Sequence, residues 1–252
     1  MTISQNNPIL RAEHLSKSFG EHHVLEDISL TVENGELVSI LGVSGVGKTT
    51  LFNMLSGLMP PDSGSVFLKD EDITGCPGKI SYMLHKDLLL PYRTVLDNVA
   101  LPLLIRGMPK KEARSKAASY FAEFGLDGTE FKYPPKLSGG MRQRAALLRT
   151  YLASSGVALL DEPFSALDTI TKSAMHTWYL DVMKDIELTT LFITHDMDEA
   201  VLLSDRIFIL AGSPAHFVAE IKIDEPRPRD KSFTLTNEFL EYKKQITKCL
   251  EI

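Results

Sequence analysis

A chain of 252 residues, 44% hydrophobic and 24% charged, has the balance of a folded globular protein and the length to bury a sizeable core as one large or two small domains. Its 27 Lys and Arg against 33 Asp and Glu give a net charge of −6, a mildly acidic balance that argues against extended nonspecific binding to DNA or RNA. The two cysteines, Cys76 and Cys249, lie far apart and make neither a zinc site nor a disulfide framework, so a reducing cytosol is the simplest setting. The opening Met1 to Pro8 is polar, without the basic start and apolar run of a signal peptide. The most apolar stretches, Leu37 to Val43 and Ala145 to Leu160, fall short of the about 18 to 20 uninterrupted apolar residues that a membrane span needs.

The first segments read as strands. Leu10 to Phe19, Val24 to Val32 and Glu36 to Leu41 alternate apolar and polar positions, and Asn34-Gly35 predicts a tight hairpin between the last two. A glycine loop follows, and from Thr49 to Leu58 the period becomes helical, with Leu51, Met54, Leu55 and Leu58 on one face until Pro60-Pro61 stops it. Residues 62–85 return to short strands, and 94–130 is mainly helical, a helical insert. A helix is expected over 139–154, a strand over Val157 to Leu160, a helix over 169–187, a strand over Thr190 to Thr194, then a helix and a strand over 197–210. This alternation implies a parallel sheet with helices on both faces. The run Asp224-Glu-Pro-Arg-Pro-Arg-Asp230 suits a linker or surface arm, and beyond it Phe239, Tyr242, Ile246 and Leu250 mark a short amphipathic helix expected to pack back on the body.

The strongest chemical signal is Gly42-Val43-Ser44-Gly45-Val46-Gly47-Lys48-Thr49, which satisfies G-x-x-x-x-G-K-[ST] between an expected strand and an expected helix. Glycines let successive N–H groups of this loop, through Thr49 and Thr50, turn toward phosphate oxygens at the positive end of the helix. Lys48 reaches the β and γ phosphates, and the Thr49 hydroxyl suits Mg²⁺. This is a nucleoside triphosphate site. Val157 to Leu160 then delivers Asp161 and Glu162 to the C-terminal edge of the sheet, where ligands collect. Alone, such a pair reads as a solvated turn or helix cap. Beside a phosphate loop, Asp161 reads as an Mg²⁺ ligand and Glu162 as the group that polarises a water for attack on the γ-phosphorus. Leu137-Ser138-Gly139-Gly140-Met141-Arg142-Gln143-Arg144 opens another helix with an anion-receptive start.

The phosphate loop, LSGGMRQR, LLDEPFSALD and THDMDEA, in this order and spacing over about residues 8 to 215, resemble the nucleotide-binding ATPase subunit of an ATP-binding cassette (ABC) transporter. The resemblance implies a P-loop NTPase fold of α/β class: a RecA-like, mostly parallel core with an N-terminal antiparallel β subdomain and a helical subdomain at about 86–140. The ATPase domain would span 8–215, and 216–252 would form a C-terminal extension. In that family two subunits face each other head to tail, so Ser138, Gly139 and Gly140 would hold the partner's ATP and Asp168 would lie across the same interface. His195 matches the histidine that contacts the γ-phosphate. Phe19 matches the aromatic that stacks on adenine, and reads equally as a core phenylalanine. The family places a glutamine, near Mg²⁺ and the attacking water, where this chain has His85. Imidazole in that role would place Mg²⁺ more weakly or with a pH dependence.

The run Leu89 to Val99, with Leu101-Pro102-Leu103 and Arg106-Gly107-Met108, resembles the bacterial importers of the nitrate, sulfonate and taurine group, whose relatives also carry riboflavin- or thiamine-precursor-like pyrimidines. That resemblance implies ATP and Mg²⁺ as cofactors, a homodimer of ATPase subunits, a separate permease touched by the segment His85 to Val99, and an extracytoplasmic substrate-binding protein. The subunit would sit on the cytoplasmic face of the bacterial inner membrane without nucleic acid. A cassette ATPase of DNA repair would need a long coiled coil between phosphate loop and signature, and the gap from Thr49 to Leu137 carries no sustained heptads. A translation-associated cassette protein carries two cassettes, and this chain has one set of motifs.

Overall fold

The computed structural model describes residues 8–186, 188–230 and 232–250. Residues 1–7, where no leader was expected, and 187, at the expected end of a helix, lie outside them. In chain order the elements are β1 (Leu10–Phe19), β2 (His22–Val32), β3 (Leu37–Leu41), α1 (Lys48–Leu55), β4 (Ser63–Leu68), β5 (Glu71–Asp72) and β6 (Ser81–Met83). Three short helices follow, α2 (Val95–Val99), α3 (Leu101–Ile105) and α4 (Lys110–Ala118), then α5 (Gly139–Ala153), β7 (Val157–Asp161), α6 (Thr169–Asp185) and β8 (Thr189–Thr194). The chain continues with α7 (Met197–Leu203), β9 (Arg206–Gly212), β10 (Ala215–Lys222) and α8 (Asn237–Leu250). No helix among the described residues is long and apolar enough to cross a membrane.

Among the described residues, ten strands join one sheet in the order β5-β4-β1-β2-β10-β9-β3-β8-β7-β6. The half from β9 to β6 is parallel, and β1, β2, β4 and β5 pair antiparallel. Two expectations change here. Asn34-Gly35 makes a turn, with Gly35 at φ 76° and Glu36 N donating to Glu33 O at 3.2 Å, but it closes no hairpin. β2 pairs with β1 and β10, whereas β3 lies between β8 and β9. The reason is burial: every residue of Leu37–Leu41 is buried, and a strand apolar on both faces belongs inside a covered parallel sheet. The sheet also runs past the boundary expected at 215/216, because β10 pairs along β9 from Ala215↔Gly212 to Lys222↔Arg206.

The strand period of two sorts the core. Val157 and Leu159 of β7, with Leu191 and Ile193 of β8, pack with Leu51, Phe52 and Leu55 of α1. Ala158, Leu160 and Phe192 point the other way, into a cluster with Ala145 and Leu148 of α5, Met175 and Tyr179 of α6, and Val95 and Val99 of α2. A third cluster joins Ile207 and Ile209 of β9 to Ala200 and Val201 of α7 and to Phe239 and Ile246 of α8. The amphipathic tail helix therefore packs on the body, as its spacing predicts. The arm before it is docked by arginine: Arg229 donates to the carbonyls of Val201 at 3.1 Å, Ser204 at 2.7 Å and Glu225 at 2.7 Å.

Candidate nucleotide site

Register builds the site. Leu41 pairs with Thr194 and Asp161 with Ile193, so β3, β7 and β8 end side by side at the C-terminal edge of the sheet, each feeding a loop that carries expected chemistry. Gly42 leaves β3 so close to β9 that a Cβ there would stand 2.5 Å from the Leu210 carbonyl oxygen. Gly47 caps α1 at φ 113°, a conformation open to glycine. These constraints fold Gly42–Thr49 over the start of α1. Lys48 is 6% exposed and donates to the carbonyls of Gly42 at 2.8 Å and Val43 at 2.9 Å. Burial holds its ammonium below the usual lysine value, while Glu162 and Asp161 oppose that shift.

Ser44, Gly45, Gly47, Lys48, Thr49 and Thr50 of the loop, with Asp161, Glu162 and Ile193 of the strand ends, line a cavity of about 200 Å³. Thr49 Oγ1 donates to Asp161 Oδ2 at 3.3 Å, and Tyr82 Oη donates to the same oxygen at 3.3 Å. Asp161 is 5% exposed, and burial raises its carboxyl above the usual range against those two bonds. A hydroxyl and a carboxylate facing each other are hard oxygen donors, the set that suits Mg²⁺. Glu162 takes a left-handed backbone at φ 47°, with its N–H bound to Ile193 O at 3.0 Å, and this turns its carboxylate toward two histidines. His195 Nδ1 lies 3.2 Å from Glu162 Oε1, and His85 Nδ1 lies 3.8 Å from Glu162 Oε2 and 3.4 Å from Ser165 Oγ. His85, expected near the metal, thus sits beside Glu162 rather than in the lining formed by Thr49 and Asp161. Val46, within the loop, is half-buried.

The remaining expected residues stand apart from this cavity. Ser138 is exposed and caps α5, accepting from Met141 N at 3.3 Å. A Cβ on Gly139 would touch Leu167 at 3.5 Å and one on Gly140 would touch Thr171 at 3.4 Å, so the start of α5 packs on the segment that carries Asp168. Asp168 is exposed and caps α6, accepting from the Thr171 hydroxyl at 2.6 Å and from Thr171 N at 3.1 Å, which holds its carboxyl below the usual range. Ser138, Gly139 and Asp168 therefore lie together, with the buried Gly140 beside them, while the cavity lining belongs to other residues. Phe19, at the end of β1, is 48% exposed, so its ring is no core side chain.

Several contributors were given no role by the motifs. Tyr82 is one. Asn98, fully buried, ties the loop after β6 together, accepting from Leu90 N at 2.6 Å and donating to the carbonyls of Leu90 at 3.1 Å and Thr94 at 2.9 Å. From α5, Arg142 pairs with Asp87 at 3.2 Å and Arg149 donates to the carbonyls of Asp87 at 2.6 Å and Leu88 at 2.9 Å. The helix capped by Ser138 thus grips the loop that carries His85.

Comparison with known proteins agrees with this geometry. The family model described as ABC transporter matches residues 25–165. The chain belongs to the ABC transporter family. Among curated relatives of this cassette, the formylaminopyrimidine import ATP-binding protein ThiZ of Halalkalibacterium halodurans is 50% identical over 79% of this chain and 78% of its own length. The taurine import ATP-binding protein TauB of Escherichia coli O157:H7 is 38% identical over 87% of this chain and 86% of its own. Among solved structures, the ATP-binding cassette MJ0796, in a dimeric post-hydrolysis state bound to ADP and Pi, is 27% identical and superposes with a TM-score of 0.73, covering 86% of this chain and 100% of its own. The cassette is the ATP-hydrolysing subunit of an ABC importer, of mixed α/β fold. The reading as a repair or translation ATPase is not favoured.

Proposed function

We propose that this cassette hydrolyses ATP at a site completed by a second copy of the chain and thereby drives a separate permease that imports a small polar solute. The observation that carries this reading is the division of the motifs: Lys48, Thr49, Asp161 and Glu162 converge in one cavity, whereas Ser138, Gly139 and Asp168, with the buried Gly140 beside them, lie together outside it. A head-to-tail pair would set those residues of one copy over the phosphate loop of the other.

Within the cavity, the loop N–H groups and Lys48 would hold the phosphates, and Phe19, outside its lining, would stack on the base. Thr49 and Asp161 would hold Mg²⁺, with Tyr82 steadying Asp161. When bound, Mg²⁺ neutralises charge on the β and γ phosphates. Glu162 orients and polarises the attacking water, and its proton moves toward that carboxylate as the oxygen closes on the γ-phosphorus and the bond from that phosphorus to the bridging oxygen breaks, releasing ADP and phosphate. His195, on the far side of the carboxylate, fixes Glu162 and meets the γ-phosphate. His85 would report the state of Glu162 through its own loop, which Arg142 and Arg149 bind to α5 at Asp87 and Leu88, and so to the permease. The ATPase would lie at the cytoplasmic face of the membrane through that permease, with an extracytoplasmic binding protein delivering the solute.

Relatives named for the import of formylaminopyrimidine and of taurine support a formylated aminopyrimidine or a small sulfonate as the solute to test. The test is co-expression with a permease and binding protein of this class, followed by ATP-driven uptake into vesicles of a labelled aminopyrimidine and of taurine. Co-purification with the permease and uptake of one solute support the reading, and co-purification with DNA or ribosomes without a permease overturns it.

A further inference from the structure

A buried polar network, whose members Thr194, Asp196 and Glu199 come from the THDMDEA segment but were given no role by it, adjoins the Glu162–His195 pair. Its hub is Glu199 of α7, 3% exposed. One oxygen, Oε2, accepts from the Thr194 hydroxyl, and Thr194 Oγ1 in turn accepts from Asp196 N at 3.0 Å. The two residues that flank His195 are thus bound to one carboxylate system. The other oxygen, Oε1, lies 3.0 Å from His176 Nε2 of α6 and 3.8 Å from Lys172 Nζ, which also bonds Asp196 Oδ2 at 2.6 Å. A carboxylate buried this deeply requires donors on both oxygens, and with Thr194 and His176 supplied it becomes a rigid anchor.

His176 has a second contact that makes it more than a partner of Glu199. Its ring meets the ring of Phe164 edge-on, with centroids 5.0 Å apart, and Phe164 is two residues past Glu162. The imidazole therefore stands between two strand-end loops, one carrying Glu162 after β7 and the other His195 after β8. The carboxylate and imidazole that these loops bring together are 3.2 Å apart.

We propose that His176 is a positioning residue for hydrolysis: by packing on Phe164 and bonding Glu199 it fixes the spacing of Glu162 and His195. Because Asp168 caps α6, with Lys172 N bonded to Asp168 O at 2.8 Å, the same helix ties this spacing to the surface offered to a second copy. The inference rests on the proposed roles of Glu162 and His195. It predicts which change at residue 176 is tolerated. Glutamine keeps an N–H donor at nearly the reach of Nε2, asparagine keeps the donor but falls short, and leucine fills the space without a donor.

The experiment measures steady-state ATPase and nucleotide binding of the assembled transporter carrying His176→Gln, His176→Asn, His176→Leu or His195→Ala, with amide hydrogen exchange across residues 189–199. The expected result is a kcat about tenfold lower for His176→Asn and His176→Leu, with KM for ATP within about twofold, and recovery to within about threefold in His176→Gln. Exchange at residues 195–196 should rise by about tenfold in the two impaired variants and stay at the parent's level in His176→Gln, while residues 189–193 of β8 remain protected. Parent-like kcat in both His176→Asn and His176→Leu, equal loss in all three His176 variants, or loss through KM alone overturns the positioning role. Unchanged hydrolysis in His195→Ala overturns the underlying reading of His195, whichever way the His176 variants behave, and is read separately from them.

Discussion

Replacing Glu162 with glutamine isolates the chemical step. The substitution keeps shape and removes charge, and the left-handed backbone held by Ile193 O at 3.0 Å suits glutamine as it suits glutamate, so the fold around β7 is retained. What is lost is the base. Positioned general bases contribute about 10² to 10⁴-fold, so kcat should fall by at least about a hundredfold, equivalent to about 3 kcal/mol or more of barrier. Binding should move the other way. Glu162 and Asp161 are the two carboxylates that act on Lys48, and neutralising one leaves the phosphate loop more positive. ATP affinity is therefore retained or tightened, and the variant should accumulate as an ATP-bound dimer. Phosphate release at saturating ATP measures the first effect, fluorescent-nucleotide titration the second, and size-exclusion chromatography with ATP the third. A kcat within about tenfold of the parent would refute the assignment of Glu162 as the base. Parallel loss of ATP binding would show that the substitution broke the site rather than the chemistry.

Four further outcomes are expected. His85→Gln should change the Mg²⁺ concentration for half-maximal ATPase by about threefold or more, since residues beyond the first ligands tune metal sites, and an unaltered Mg²⁺ dependence and pH profile would remove His85 from that role. Tyr82→Phe, which deletes one of two hydroxyls on Asp161 Oδ2, should weaken Mg²⁺-dependent nucleotide binding measured against EDTA while leaving Mg²⁺-free binding unchanged. Arg229→Met should destabilise the chain by about 2–4 kcal/mol, because buried carbonyls of α7 and the arm lose a charged donor, and calorimetry should show a melting midpoint lower by about 4–12 °C. Lys172→Met tests a pH linkage. Burial pushes the Asp196 carboxyl up, but the bond and charge of Lys172 together with the N–H groups of Glu199 and Asp198 outweigh it, so its folded value lies below the usual carboxylate range. Stabilisation by this pair is then complete above the unfolded value of about 3.9 and disappears as pH falls through the folded value. The midpoint gap between parent and Lys172→Met should be clear at pH 7 and closed near the acid end, and a gap that widens with acid would contradict this.

The amino-acid sequence by itself determined what local chain geometry can encode. The phosphate loop needs glycines where a Cβ would strike Leu210 O or where φ is positive, followed by a helix, and both are written in consecutive residues. The acidic pair after β7, the serine cap of α5, the aspartate caps of α6 and α7 and the amphipathic spacing of α8 are local in the same sense. Only the tertiary structure decided which strands are neighbours. Asn34-Gly35 carries the local signal of a hairpin, yet β3 pairs with β8 and β9 because a strand apolar on both faces gains more from two covered neighbours than from the adjacent strand. That choice aligns Leu41 with Thr194 and Asp161 with Ile193, and the alignment brings Glu162 to His195 and His85. Tyr82, His176 and Glu199 act through contacts between elements distant in sequence, and no spacing rule along one chain segment records which side chains a sheet's register will set against each other.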